Sequence, residues 1–121
     1  MNKVLIIDDD PSIRQMLCRM LEREGYEVDT ASNGREGVIK YRANPSEIVI
    51  TDIIMPEQEG IETIRQLKSE NKDCRIIAIS GGGRIGPSDY LCMAKLIGAS
   101  CTISKPFDRA QLLAALKEVL N

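Results

Sequence analysis

The chain has no histidine and no tryptophan, and aromatic residues make up only 3% of it. Without imidazole, acid–base or phosphoryl chemistry must fall to carboxylates, hydroxyls and lysine. With so few rings, the core must be built from Ile, Leu, Val, Ala and Met. Cys18, Cys74, Cys92 and Cys101 include no CxxC pair. That spacing, with no histidine to help, argues against a zinc site. A disulfide framework is not expected either, because a chain this long can make its own core, so free buried thiols are the expectation. Long apolar runs are lacking too. Those present, such as Val4 to Ile7, are strand-sized, far short of the ~20 residues of a membrane span. The N-terminus enters such a run without signal-peptide architecture, so a cytoplasmic protein with no membrane partner is expected. The net charge is −2, with no basic stripe and no acidic tail. Nucleic acid is therefore not an expected partner.

What is present is a pattern. At 121 residues and 43% hydrophobic, the chain has the size of one domain with a proper core. Strand-like and helix-like segments alternate five times. Lys3–Asp8 (KVLIID) is a continuous apolar run ending in acid, as expected of a strand buried on both faces. Asp10 and Pro11 mark a helix start, as N-cap and first helical residue. Ile13, Met16, Leu17, Met20 and Leu21 follow at helical spacing, and Gly25 ends the helix. Tyr26–Ala31 is a more polar strand, suited to a sheet edge. A helix is expected over Gly34–Asn44, a strand over Ile48–Asp52 and a helix over Gly60–Asn71. Arg75–Ser80 reads as a strand, 81–87 as a glycine-rich loop, 88–97 as a helix and Cys101–Ser104 as a strand. Asp108–Leu120 closes the series as a helix with Leu112, Leu113, Leu116, Val119 and Leu120 inward. Repeated strand–helix units predict a doubly wound parallel sheet with helices on both faces. Residues 1–121 are then a single domain with no room for an output domain.

In such a sheet, functional groups gather at the carboxyl ends of the strands, where strand order reverses. Strand one ends in Asp8-Asp9, strand three in Asp52, strand four in Ser80 and strand five in Ser104-Lys105-Pro106. Three carboxylates, a hydroxyl and an ammonium thus converge on one edge. Clustered carboxylates need compensation, which a hard cation with oxygen ligands supplies. Mg²⁺ suits best, with Mn²⁺ as a substitute, because it takes a few carboxylate or carbonyl oxygens and keeps water or phosphate as its other ligands. Lys105 adds positive charge on the other side. The site is then built to receive a dianionic phosphoryl group, with Asp52 as the nucleophile and Ser80 as a hydrogen-bond donor to it.

These residues resemble the receiver domain of bacterial response regulators. The matching segments are VLIIDDDPSIR (Val4–Arg14), IVITDIIMPEQEG (Ile48–Gly60), IIAIS (Ile76–Ser80) and SKPF (Ser104–Phe107). They occur in order, at family-like spacing, across essentially the whole chain. The resemblance implies a flavodoxin-like (βα)5 sheet of strand order 2-1-3-4-5. It implies Asp52 as phosphoacceptor, Asp8 and Asp9 as metal-holding acids, and the Ile54 carbonyl as the third protein ligand beside Asp52. Ser80 matches the switch hydroxyl, and Lys105 the family lysine, with a cis peptide at Pro106. The implied partners are a sensor histidine kinase or histidine phosphotransfer protein as donor, and an unknown downstream protein. The implied state is a monomer or a weak phosphorylation-dependent dimer. Such a chain catalyses only its own phosphorylation and dephosphorylation. The positions two past the acceptor and two past the switch residue, Ile54 and Gly82, offer no side chain to orient water. A long-lived phosphoryl group is therefore expected.

Each of these residues also has a plainer reading. Asp10 is adequately explained as a helix cap, but a cap needs one acid and three stand together. Asp52 alone could simply end a strand, and Lys105 alone could be a surface lysine. Gly81, Gly83 and Gly86 satisfy GxGxxG, yet they follow strand four rather than opening the first unit, which argues against a dinucleotide site. An Asp-nucleophile phosphatase of the haloacid dehalogenase kind would need a second Asp where Ile54 stands. A phosphorelay intermediate without its own output uses the same chemistry and is the main alternative. Two departures from the family pattern matter. The stretch 81–104 is a few residues longer than usual, and Thr102 stands where many members carry Tyr or Phe. Tyr90 is a candidate substitute for that ring.

Overall fold

The computed structural model describes residues 2–53, 60–80 and 98–120. Five strands form one parallel sheet: β1 (Lys3–Ile7), β2 (Glu27–Ala31), β3 (Ile48–Asp52), β4 (Arg75–Ser80) and β5 (Cys101–Ser104). Their order is β2-β1-β3-β4-β5, as expected. Four helices are described: α1 (Pro11–Arg23), α2 (Gly34–Ala43), α3 (Gly60–Glu70) and α4 (Arg109–Leu120). The helix expected over 88–97 and the glycine loop over 81–87 lie outside the described residues, as do Tyr90 and Cys92.

The strands carry apolar residues on both faces because both faces are covered. Leu5, Ile7, Val49, Ile53, Ile76 and Ala78 pack with Val38 and Tyr41 of α2 and with Ile64 and Leu67 of α3. Val4, Ile6, Ile48, Ile50, Ile77 and Ile79 point the other way, to Leu17 and Leu21 of α1 and Leu112 and Leu116 of α4. Neighbouring residues of one strand therefore serve opposite cores, the period-two rule applied to a fully covered sheet. Each fully buried Leu or Ile contributes ~2 kcal/mol by transfer. Leu113 and Leu120, expected inward, are only partly buried beside that second core.

Helix ends fall where side chains can terminate the backbone ladder. The Asp10 carboxylate accepts the Ser12 amide at 2.9 Å, and Pro11 begins α1. At the other end, Gly25 adopts φ +89, a left-handed backbone that glycine takes without cost. The Gly25 amide donates to Glu22 and that of Tyr26 to Leu21, closing a Schellman motif. Asn33 caps α2 through the Glu36 amide at 2.8 Å.

β2 is the edge strand, and side chains occupy its free edge. The Lys40 ammonium donates to the Thr30 carbonyl at 2.5 Å. The Asp29 carboxylate accepts the Thr30 amide at 2.9 Å. Lys40 also pairs with Asp29 at 3.5 Å and Glu36 at 3.3 Å. Cys74 and Cys101 are buried as expected, whereas Cys18 is half-buried on α1. There its thiol donates toward Glu22. Among the described residues, no helix is long and apolar enough to cross a membrane.

Candidate functional site

The connection leaving β1 runs through α1 on one face, and the connection leaving β3 runs through α3 on the other. The chain therefore opens a crevice between two hydrogen-bonded neighbours at their carboxyl ends. Ile7 pairs with Thr51, so the next residues, Asp8 and Asp52, stand side by side at the strand mouths. Asp52 pairs in turn with Ile79 of β4, and Ser80 with Ser104 of β5. Lys105 follows immediately, after which the Lys105–Pro106 peptide is cis, as expected.

Burial separates the acids. Asp8 is 1% exposed and Asp52 7%, whereas Asp9 is exposed. The Asp8 carboxylate accepts the Asp10 amide at 2.9 Å through Oδ1. Its Oδ2 lies 3.4 Å from the Lys105 ammonium, which stands 3.1 Å from Asp52 Oδ2. One cation thus bridges two buried carboxylates from different strands. Burial, with the Asp52 charge adding to it, pushes the Asp8 carboxyl up to about 6, against the opposing pull of the Asp10 amide and Lys105. For Lys105, burial works against the charged form, but the Asp52 and Asp8 charges outweigh it and hold the ammonium above its ordinary range.

Carboxylate oxygens of Asp8, Asp9 and Asp52 all lie within 4.8 Å of one another. Opposite ligands of a Mg²⁺ ion stand ~4.2 Å apart, twice the ~2.1 Å bond. Small side-chain movements would bring the three onto one ion, and the all-oxygen set suits a hard cation. The remaining expected ligand, the Ile54 carbonyl, and the Ser80 side chain lie outside the described residues, as does Gly82.

The far side of the crevice is pinned by Gly60. Its amide donates to the Ile53 carbonyl at 2.5 Å. A Cβ there would collide with the Asp52 carbonyl oxygen and the Ile53 Cα. Only glycine lets α3 begin so close to the end of β3. Thr102 is half-buried on β5, opposite Ala78.

The family model described as the response regulator receiver domain matches residues 4–117. The chain belongs to that family. It is similar to the chemotaxis protein CheY of Thermotoga maritima, at 37% identity over 97% of this chain and 96% of that one. A response regulator receiver domain protein from Clostridium thermocellum superposes with a TM-score of 0.91 at 32% identity, covering 100% of this chain and 95% of the other. The response regulator TrrA of Thermotoga maritima, solved in complex with Mg²⁺–BeF, gives a TM-score of 0.86 at 33% identity, covering 98% and 99%. The chain is thus a CheY-like receiver domain of two-component systems, where signalling is by phosphorylation.

Two contacts of this receiver domain were not read from its sequence. One is the bond from the Asp8 carboxylate to the Asp10 amide, although Asp commonly binds the backbone two residues on. The other is Arg14, whose Nη1 donates to the Asp8 carbonyl at 2.7 Å. Its one sequence signal is its place a turn into α1, on the helix that the acids lead into.

Proposed function

We propose that this receiver domain, taken as residues 1–121, accepts a phosphoryl group on Asp52 in a Mg²⁺-dependent reaction. The observation that carries the reading is the Lys105 ammonium shared between Asp52 and Asp8 at the mouths of adjacent strands. A carboxylate oxygen of Asp52 attacks phosphorus in line with the leaving group. The new bond is P–O, and the bond that breaks is P–N to a phosphohistidine on a sensor kinase or phosphotransfer protein. The electron pair departs with the imidazole, and an acyl phosphate remains. Asp8, Asp9, Asp52 and the Ile54 carbonyl hold Mg²⁺, which when bound offsets charge on the phosphoryl oxygens. Lys105 does the same from the opposite side, and the Ser80 hydroxyl hydrogen-bonds a phosphoryl oxygen. The reaction is the domain's own modification, not turnover of a free substrate. Phosphorylation then favours one of two loop arrangements, which a downstream protein reads.

Thr102 favours a second reading. Without an aromatic ring on that face of β5, the domain would pass phosphoryl between histidines as a relay intermediate, with no output of its own.

The test is intact mass after incubation with Mg²⁺ and acetyl phosphate. One phosphoryl group should be added, and lost with EDTA or in Asp52→Asn. No addition to the wild type would sink the proposal. Partner binding only by the phosphorylated form would favour the switch over the relay.

A further inference from the structure

We infer that Arg14 is a positioning residue for metal capture, acting through the main chain of the Asp8–Asp9 pair. The inference rests on the metal site proposed above. Arg14 is half-buried one turn into α1, and its Nη1 donates to the Asp8 carbonyl at 2.7 Å. That carbonyl belongs to the peptide joining Asp8 to Asp9. Fixing it fixes the plane of that peptide, and because the Asp10 amide of the next peptide is held by the Asp8 carboxylate, rotation at Asp9 and the direction in which its Cβ leaves are restricted from both sides.

The two acids differ in how much they need this. The Asp8 carboxylate is held directly, by the Asp10 amide at 2.9 Å and by Lys105 at 3.4 Å. Asp9 is exposed, and among the described residues no hydrogen bond or ion pair holds its carboxylate. Its aim depends on the backbone. That backbone is tied on one side by the Asp8 amide to the Ala31 carbonyl at 3.2 Å, and on the other by Arg14. Removing Arg14 frees the joint and also leaves a buried carbonyl without its charged donor. Mg²⁺ demands near-octahedral geometry, so a loosely aimed third carboxylate weakens capture. The effect falls on binding, since Arg14 donates to the main chain of Asp8, whereas Lys105 pairs with the Asp8 and Asp52 carboxylates.

Losing a hydrogen bond that orients a metal ligand typically costs ~10–100-fold in affinity. Acting through the backbone, Arg14 belongs at the low end of that range. The experiment titrates the full chain with Mn²⁺ alone, followed by electron paramagnetic resonance. In parallel, the rate of acetyl phosphate modification is measured against Mg²⁺ concentration. Arg14→Gln should weaken Mn²⁺ binding ~10-fold, with the rate at saturating Mg²⁺ unchanged within ~2-fold. Arg14→Lys, which keeps a charged donor, should recover part of the loss. If Arg14→Gln does not fold, Arg14→Lys carries the test with an intermediate loss. Unchanged Mn²⁺ affinity in the folded variants, or a loss confined to the saturated rate, overturns the inference alone. No Mn²⁺ binding by the wild type, or full binding by Asp9→Asn, overturns the metal site itself and the inference with it.

Discussion

Lys105 reaches from the end of β5 to within 3.1 Å of Asp52 Oδ2 at the end of β3, with the whole of β4 between them in the sheet. The ammonium offsets two buried charges, and in the proposed reaction it would meet the phosphoryl oxygens. Replacing it by an apolar side chain of similar length leaves those charges facing each other. Lys105→Met should cost ~1–3 kcal/mol of stability without divalent metal, less than a fully buried pair, because water reaches the lysine. Saturating Mg²⁺ should return most of that loss. Thermal melts with and without metal check this, and equal melting temperatures for variant and wild type would contradict it.

The Asp8 carboxyl titrates at about 6 when folded, against an ordinary 3.8. Between those values the folded protein holds a proton that the unfolded chain has released. Stability from this group therefore falls as pH rises through the window and returns on acidification. Metal binding needs the ionised carboxylate, so it should run the other way. Mg²⁺ affinity should weaken as pH drops through about 6, while the metal-free melting temperature rises. Calorimetric titration across about pH 5 to 7 decides it, and a flat affinity would be the contrary result.

Glycine positions should separate sharply. At Gly60 an added methyl meets the backbone of Asp52 and Ile53, which cannot swing away. Gly60→Ala should cost ~2 kcal/mol or more and slow phosphorylation, because the displaced atoms belong to the acceptor's own peptide. At Gly25 the space is open and only the positive φ opposes substitution. Gly25→Ala should cost ~1 kcal/mol and leave phosphorylation intact. Urea denaturation with the mass assay distinguishes the two, and equal effects on phosphorylation would count against the assigned role of Gly60.

The phosphorylated form should persist for minutes or longer. Ile54 is apolar and Gly82 has no side chain, so neither can orient a hydrolytic water. Timed mass spectra after removal of the donor measure this. Loss within seconds would show that another group activates the water.

The central strands were legible because they are buried on both faces. Ile48–Asp52 and Arg75–Ser80 read as apolar runs with the bounds observed, since fully covered strands leave no alternation to blur, and the short strand Cys101–Ser104 also has the bounds expected. Helix ends shifted by a residue, as at Ala43 against Asn44, where the cap rather than the apolar face decides. The strand-end acids were legible from topology alone: once order reverses between β1 and β3, Asp8 and Asp52 must be neighbours. What composition and spacing could not carry was a long helical side chain turning back on the residues that lead into its helix. Arg14 looks like any polar residue on a helix until the distance to the Asp8 carbonyl is known.

The bonds that Lys40 and Asp29 make to Thr30 have a consequence in concentrated solution. A parallel sheet stops growing only where its last strand has nothing left to offer. At Thr30 both main-chain groups are already engaged, and a newcomer would have to strip an ammonium and a carboxylate from them first. At that residue the second strand therefore offers an incoming strand of another molecule no vacant pairing group, and lateral growth of the sheet is opposed there.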